Sequence, residues 1–331
     1  MKDGIEQSIK MLNTSLRLLK DDIIKQQIEN TIKKYSQILF YPKTKVSLCG
    51  RFNAGKSALI NSMIGDKIVI SRPISSTGVI TKLYYNRDNT YTLIKKIDGN
   101  EKSYSFSSEE LKGNTVKDNF NHSDNVRDIV RVDIGLPNEL LHCDVELYDT
   151  PGLDDVDNNM NEITMHHLDH SDFIIFVVDA MQLKDLKDLL MRYYNRLGRN
   201  VLFVANKMDC IEEEKEQQDI INLAKVYYSD YFNPLTYNSD IFFVSAKKHD
   251  SQIEALADFC KNNIFAKAKR IAQISRIAIL KYEMQTVYNN LQQTISVEAN
   301  KSHKRDLMDD KRVLSTILID LKRLVTEYQL Y

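Results

Sequence analysis

A glycine-rich stretch, GRFNAGKSALIN at residues 50–61, lies between a short apolar run and an apolar helical run. Its frame G-x-x-x-x-G-K-S turns backbone N–H groups toward the start of a helix, where phosphate binds favourably. Gly50 and Gly55 permit the tight loop. Lys56 can reach the β- and γ-phosphates, and the Ser57 hydroxyl can ligate Mg²⁺. The stretch predicts a phosphate cradle formed by Gly50, Arg51, Phe52, Asn53, Ala54, Gly55, Lys56, Ser57 and Ala58.

A second motif, LYDTPGL at residues 147–153, ends an apolar strand. Asp149 is placed there to hold Mg²⁺ through water, and the Gly152 N–H can meet the γ-phosphate and sense its loss. Ras-type enzymes position the attacking water with a Gln shortly after this glycine. Leu153 stands there instead and cannot orient water. Catalytic help must therefore come from the cradle, the first switch, a bound cation or a second subunit.

Two further motifs point to the base of the nucleotide. In VANKMD, the Asp209 carboxylate can accept from guanine N1–H and N2–H together, which selects guanine over adenine. Asn206 ties loops together, and the Lys207 stem can lie over the base. In VSAKK, which contributes Ser245, Ala246 and Lys247, the Ala246 N–H is available to the guanine oxygen. Four motifs in this order, each at a strand end, predict a site for GTP and GDP outside the carboxyl ends of a sheet.

The segment SSTGVITKLYY, residues 75–85, should supply the remaining switch. Thr77 is the first choice for a hydroxyl that ligates Mg²⁺ with Ser57 and Asp149, because it precedes the strand in which Thr81 lies. Asn53 has two readings of about equal weight. Its side-chain carbonyl coordinates a monovalent cation, K⁺ or Na⁺, between the phosphates, or its amide hydrogen-bonds the loop into shape. The predicted catalytic residues are thus Asn53, Lys56 and Thr77.

The runs between the motifs predict the elements that carry them. From Lys45, short apolar strands alternate with helices, as in an α/β domain with crossover helices. Runs such as FIIFVVDA are almost continuously apolar, which is typical of parallel strands buried on both faces. We expect a P-loop GTPase domain with a doubly wound, mostly parallel sheet over residues 41–264. The candidate strands are 45–49, 79–85, 128–134, 144–148, 173–179, 201–205 and 241–244.

Apolar residues at helical spacing occupy both ends of the chain. Residues 1–40 predict one amphipathic helix, and residues 265–331 predict two helices separated by a turn within Glu298–Arg305. The apolar face of each helix needs another helix to cover it, so the three helices would form a neck-like bundle from both termini. Within the α/β domain, residues 86–127 predict a hairpin that turns at Asp98-Gly99-Asn100, followed by a surface loop.

Composition excludes several classes of protein. Lys and Arg number 45 against 46 Asp and Glu, so the charge does not favour nucleic acid as a partner. The four cysteines form no C-x-x-C pair, and we expect reduced thiols in a cytoplasmic protein. No apolar run of about 18 residues predicts a membrane-spanning helix. His166 and His170 share a helical face, but no third ligand is evident, so zinc is disfavoured.

Taken together, GRFNAGKSALIN, SSTGVITKLYY, LYDTPGLDD, SDFIIFVVDA and VANKMD resemble bacterial dynamin-like GTPases over residues 45–265. The resemblance implies a GTPase domain flanked by a helical neck and a homodimer that forms through the nucleotide face when GTP is bound. The resemblance also implies that a second dynamin-like subunit is a partner. It further implies that the protein contacts the inner face of the membrane peripherally. In dynamin-like proteins the residue at Asn53 helps to hold a charge-compensating cation, and an apolar residue at Leu153 fits this class.

The sequence departs from the family pattern in the first switch, where Ser76-Thr77-Gly78 replaces Thr-Thr-Ala, and at Ala58, where a second Ser is common. Two functional readings remain. The first is a mechanochemical enzyme that couples GTP hydrolysis to dimerisation and to movement of the helical neck. The second is a slow regulatory GTPase that binds a protein partner through its helices.

Overall fold

The computed structural model describes residues 3–65, 68, 79–106, 129–142, 144–153, 158–183, 187–197, 200–228, 241–248 and 251–330. The chain divides into two compact units. A sheet unit comprises residues 43–191 and 201–268, and a helical unit comprises residues 1–42, 192–200 and 269–331. In the part of the chain described, no helix is long and apolar enough to cross a membrane.

The sheet unit is built on one nine-stranded sheet with the order β4-β3-β5-β2-β6-β1-β7-β8-β9. Among the described strands, β1 pairs in parallel with β6 and β7, β2 with β5, and β8 with β7 and β9. The pairings of β2 with β6 and of β3 with β4 and β5 are antiparallel, so the sheet is mixed and mostly parallel, as predicted. The strands are β1 Thr44–Cys49, β2 Ile80–Tyr85, β3 Thr90–Ile97, β4 Asn100–Phe106, β5 Ile129–Leu136, β6 Val145–Asp149, β7 Phe173–Asp179, β8 Val201–Asn206 and β9 Phe242–Phe243.

Helices follow the parallel strands of this sheet. Six of the seven residues of β7 are buried, as expected for a strand covered on both faces. The predicted hairpin of β3 and β4 is confirmed, and Asp98 and Gly99 adopt the positive φ angles of 53° and 80° that its two-residue turn requires. The helices of this unit are α3 Lys56–Ile64, α4 Asn158–Asp169, α5 Lys187–Arg196, α6 Glu214–Tyr228 and α7 Ser251–Phe259, the last continued by a π-helical turn Cys260–Phe265.

The helical unit contains four long helices and the end of α5, whose residues from Arg192 onward belong to it. The helices are α1 Asp3–Leu16, α2 Asp22–Leu39, α8 Ala268–Val297 and α9 Lys301–Leu330. Their apolar stripes supply its core, including Leu12, Ile28, Ile277 and Leu314, each with no exposed surface or nearly none. The neck-like bundle from both termini is thus confirmed, and the break between α8 and α9 lies at residues 298–300.

The prediction of one helix over residues 1–40 is wrong, because α1 ends at Leu16 and α2 begins at Asp22. The Asp21 side chain accepts hydrogen bonds from the N–H groups of Ile23 and Ile24, and it caps α2. The fully buried Asp310 of α9 accepts from the N–H groups of Lys20 and Asp21. The apolar spacing continues across residues 17–21, so it did not predict this turn, which the carboxylates of Asp21 and Asp310 hold.

Candidate functional site: a phosphate cradle at the carboxyl edge of the sheet

The predicted motifs converge because their strands run in the same direction. β1 pairs in parallel with β6 on one side and with β7 on the other, and β8 continues the parallel set. The carboxyl ends of these strands therefore meet at one edge of the sheet. The chain crosses from one side of β1 to the other, which is the switch point where open α/β sheets bind ligands.

Two glycines allow the cradle to pass close to neighbouring strands. A Cβ atom at Gly50 would lie 2.0 Å from the Val177 carbonyl oxygen of β7. A Cβ atom at Gly55, which has φ 89°, would lie 2.3 Å from the Asn206 side-chain nitrogen. Since real Cβ atoms do not approach that closely, only glycine fits at either position without rearrangement. Helix α3 starts directly after Gly55 and points its first N–H groups at the loop.

Lys56 lies inside the loop that it is predicted to serve. Its side chain is 7% exposed, and Nζ donates to the carbonyl oxygens of Gly50 and Arg51 at 3.0 Å each. These bonds satisfy a charged amine that would otherwise be costly to bury. They also hold the ammonium group at the centre of the cradle, in reach of a phosphate that the loop encloses.

Ser57 and Asp149 form the predicted metal-ligating pair. The Ser57 hydroxyl donates to Asp149 Oδ2. The second oxygen, Oδ1, is buried and has no hydrogen-bond partner within the described residues. Burial raises the pKa of Asp149, while the Lys56 charge and the Ser57 hydrogen bond lower it. A buried carboxylate oxygen without a donor, beside a hydroxyl, is an arrangement that fits a cation with oxygen ligands.

The segment after Asp149 packs directly on the cradle. The Leu153 N–H donates to the Gly50 carbonyl oxygen at 3.3 Å. A Cβ atom added to Gly152 would lie 2.6 Å from the Phe52 backbone nitrogen, so any larger residue would push the two loops apart. Leu153 thus contributes backbone contact where Ras-type enzymes place a water-positioning side chain.

Asn206 joins three of the loops at this edge. Its side-chain nitrogen donates to the Ala54 carbonyl oxygen at 3.0 Å, and its side-chain oxygen accepts from the Ala246 N–H at 3.0 Å. The residue is 1% exposed. The Ala246 N–H, which sequence reasoning assigned to the guanine oxygen, therefore has an acceptor in this structure, and a guanine oxygen would have to share it.

The half-buried Lys207 and Asp209 follow β8 on the same edge. Lys207 has φ 69°, a left-handed conformation that is uncommon for residues with a Cβ atom. Its Nζ lies 2.8 Å from Oδ2 of Asp179, at the end of β7. Asp179 was not among the predicted site residues, although the sequence carried a signal. It is the single charged residue in the apolar run FIIFVVDA, and it stands where the strand ends at the ligand edge.

Of the three predicted catalytic residues, Lys56 is described above, and Asn53 and Thr77 remain. Asn53 is exposed at the mouth of the loop with φ 62°, a conformation that Asn adopts more readily than most residues. Thr77 lies outside the described residues.

The predicted base-binding residues after β9 differ in exposure. Ser245 and Ala246 are buried beside Asn206, whereas Lys247 is exposed.

The discounted histidines lie at the end of α4 and, for His170, directly after it. The His166 and His170 rings are 4.2 Å apart. Between them along the chain, His167 contacts the Ser47 hydroxyl at 3.2 Å, and burial lowers its pKa to about 3. Among the residues described, no group of three or more His, Cys, Asp or Glu side chains could hold a metal ion. The neutral His167 instead joins α4 to β1.

A cradle at the switch point of a mostly parallel sheet, with N-K-x-D after a neighbouring strand, defines the class of the P-loop GTPases. Residues 46–208 match the family model described as the Dynamin family. These residues therefore belong to the dynamin family, and the chain resembles bacterial dynamin-like proteins. The recognition from sequence motifs is therefore confirmed.

Of two similar proteins, one is named as a dynamin-like protein and the other is uncharacterised. The chain is 25% identical over 294 residues to Dynamin-like protein 1 of Campylobacter jejuni, covering 76% of this chain and 40% of that protein. It is 26% identical over 251 residues to an uncharacterised protein in the xynA 3′ region of Caldicellulosiruptor sp., covering 74% of this chain and 59% of that protein. The chain thus spans about half the length of these curated relatives.

A solved structure supports the fold. A chain of an oligomerised bacterial dynamin pair, described as providing a mechanism for the long-range sensing and tethering of membranes, aligns with a TM-score of 0.52 at 21% identity. The alignment covers 98% of this chain and 52% of that one. It therefore includes the helices at both ends as well as the sheet unit.

Proposed function

We propose that this chain hydrolyses GTP in a Mg²⁺-dependent reaction that is stimulated when two GTPase domains dimerise through their nucleotide faces. In this proposal residues 41–264 form the catalytic domain, and residues 1–40 and 265–331 form a neck that moves with the nucleotide state. The observation that carries the proposal is the cradle itself. It offers a buried lysine, a Ser57–Asp149 pair and an exposed Asn53, while Leu153 supplies no group to orient water.

Ser57 and Asp149 would hold Mg²⁺, together with Thr77 of the first switch. Asp149 Oδ1, which has no hydrogen-bond donor among the residues described, supports this assignment, because a buried carboxylate oxygen without a donor is costly unless a cation or water satisfies it. Bound Mg²⁺ neutralises charge on the β- and γ-phosphates. Lys56 and the N–H groups at the start of α3 hold the phosphates in place, and the Gly152 N–H contacts the γ-phosphate.

Guanine selection is assigned to the loops after β8 and β9. The Asp209 carboxylate accepts from two guanine donors, and the Lys207 stem covers the base. Asn206 supports this arrangement by fixing the position of these loops relative to the cradle. An adenine ring would leave the Asp209 oxygens facing an acceptor, so ATP should bind much more weakly than GTP.

Asn53 is the residue proposed to coordinate K⁺ or Na⁺ near the phosphates. Its side chain is exposed, and its backbone has φ 62°. Asn53→Gly is the informative variant, since glycine tolerates positive φ and removes only the amide. Asn53→Ala tests the same group with a strained backbone, and Asn100→Ala, on the exposed hairpin, is the matched control.

The experiment measures GTP turnover in potassium and in sodium for the three variants and the wild type. We expect wild-type turnover to depend on the cation, and Asn53→Gly and Asn53→Ala to lose both rate and cation dependence. If Asn53→Gly retains wild-type turnover and the same cation dependence, the cation role is wrong. Asn100→Ala should match the wild type throughout.

The output of hydrolysis is proposed from the relatives. One similar protein pair is described by its part in sensing and tethering membranes, and this supports peripheral contact of the present chain with a membrane and assembly with a second dynamin-like subunit. Sedimentation with anionic liposomes, with and without a GTP analogue, tests the contact. If the chain stays in the supernatant under both conditions, the proposed membrane contact is wrong.

A slow regulatory switch is the second candidate, and one observation favours it. Three apolar side chains are well exposed: Leu18 in the turn between α1 and α2 at 65%, Ile23 at the start of α2 at 67% and Val297 at the end of α8 at 82%. A protein partner would cover such side chains. Slow turnover that is unaffected by protein concentration would favour this function over the first.

A further inference from the structure

Asp179 ends β7 at the carboxyl edge of the sheet, beside the loop that is assigned to guanine. In the parallel register of β7 and β8 it is the partner of Asn206, so it lies next to the start of the N-K-x-D loop. Its side chain is 16% exposed. A carboxylate this far buried needs partners that stabilise its charge.

Both oxygens of this carboxylate have such partners. Oδ1 accepts from the Met181 N–H at 3.1 Å and caps the short 3₁₀ turn Ala180–Gln182. Oδ2 accepts from Lys207 Nζ at 2.8 Å. The Met181 contact fixes the orientation of the carboxylate. In that orientation, Oδ2 binds the Lys207 ammonium group.

Lys207 is thereby fixed at both ends. Its backbone has φ 69° and precedes the 3₁₀ turn Met208–Cys210, which carries Asp209. Its ammonium group is tied to Asp179. A lysine stem has four rotatable bonds, and ordering it on ligand binding costs free energy unless it is ordered beforehand.

We propose that Asp179 is a positioning residue for guanine recognition, which holds the Lys207 side chain in its nucleotide-binding orientation before the nucleotide arrives. The inference rests on the proposed function, because it assigns the base to the Lys207 loop. Asp179 contacts Lys207 and not the reacting phosphates, so it should affect the affinity for GTP and GDP equally and leave the rate of the chemical step unchanged.

The test compares Asp179→Asn, Lys207→Met and the double variant by their dissociation constants for GDP and by KM and kcat for GTP. Asparagine keeps an oxygen for the Met181 N–H and removes the charge that holds Lys207. We expect Asp179→Asn to raise the GDP dissociation constant and the KM for GTP by roughly fivefold, as for a partly buried ion pair, with kcat within about twofold of the wild type.

The double variant separates positioning from any independent role. If Asp179 acts through Lys207, then adding Asp179→Asn to Lys207→Met should cause no further loss. Asp179→Ser, which can also cap the 3₁₀ turn, repeats the test with a second uncharged side chain. Asp88→Asn, on an exposed loop, is the control and should bind as the wild type does.

Three results would overturn the inference. Wild-type affinity in both Asp179→Asn and Asp179→Ser would reduce Asp179 to a capping residue. Losses that multiply in the double variant would show that it acts apart from Lys207. A wild-type chain that binds neither GTP nor GDP would overturn the proposed function and this inference together, whereas the first two results leave the proposed function intact.

Discussion

The nucleotide edge of the sheet and the helical unit are held together by different kinds of contact. At the edge, side chains bond to backbone groups of other loops, as Asn206 does with Ala54 and Ala246. In the helical unit, charged and aromatic side chains bond to each other between helices. Tyr35 of α2 donates to Glu283 of α8 at 2.7 Å, and Arg196 of α5 donates to the Tyr35 hydroxyl at 3.2 Å.

This difference explains what each region can do. Within the residues that the structure describes, the edge retains a buried carboxylate oxygen without a hydrogen-bond partner. It also holds two residues with a Cβ atom in left-handed conformations, Asn53 and Lys207. Such features cost stability and are kept where a ligand uses them. In the helical unit, the buried Asp310 has both oxygens satisfied. The edge is arranged for a ligand, and the bundle is arranged to keep its helices in register.

The largest expected effect is that of Lys56→Ala. It removes the cation at the centre of the cradle together with its bonds to Gly50 and Arg51. We expect at least about 10²-fold weaker GTP binding or turnover, because charge stabilisation of phosphate is lost. Isothermal titration with GTP and a phosphate-release assay measure the two quantities. Lys96→Ala, on the exposed face of β3, should change neither.

Asp209→Asn should relax the choice of base and leave the phosphate contacts unchanged. Its amide cannot accept from both guanine donors, and we expect the preference for GTP over ATP to fall by about 10²-fold. Competition of each nucleotide against labelled GDP measures the preference. Asp219→Asn, an exposed position on α6, is the control. An unchanged preference would show that the base lies elsewhere.

Arg196→Met should act on stability and not on the nucleotide. The Arg196 side chain is 4% exposed, and its Nη2 lies 3.9 Å from Glu283 Oε1. Burial and the Glu283 contact raise the pKa of Tyr35, so its hydroxyl stays protonated and donates to Glu283. We expect a loss of about 2–4 kcal/mol in the free energy of unfolding, measured in urea, with GDP affinity unchanged. Arg323→Met, at an exposed position, should stay within about 0.5 kcal/mol.

The smallest expected effect is a pH dependence at the turn of the bundle. His303 contacts Glu298 at 2.7 Å and Asp21 at 3.0 Å, and both ring nitrogens can donate only when the imidazole is protonated. Hydrogen bonds to Asp21 and Glu298 raise the pKa of His303 above its usual 6.5. The contribution to stability is therefore fully present below pH 6.5 and is lost as the pH rises through the raised pKa.

Thermal unfolding of the wild type and of His303→Gln across this range tests the contribution. We expect the melting temperature of the wild type to fall with rising pH more than that of His303→Gln. Equal slopes for the two proteins would show that the histidine contacts do not contribute to stability.

The sequence predicted the residues that belong to motifs with fixed spacing. It did not predict the residues whose role depends on a contact with a residue far away in the sequence. The frame around Lys56 and the N-K-x-D motif predicted the edge, because a phosphate loop requires its residue types at fixed offsets. Asp179 was missed, since its contact with Lys207 joins two residues that are 28 positions apart in the sequence. The break at Asp21 was also missed, because Asp310, which holds that turn, lies 289 residues away.

The central claim is that catalysis is completed by a cation at Asn53 and by a second copy of the GTPase domain. The most direct test is GTP turnover per molecule of protein, measured over a range of protein concentrations in potassium and in sodium. We predict a specific activity that rises with protein concentration and differs between the two salts, with Asn53→Gly abolishing the difference. Slow turnover that is constant with concentration and equal in both salts would contradict the account.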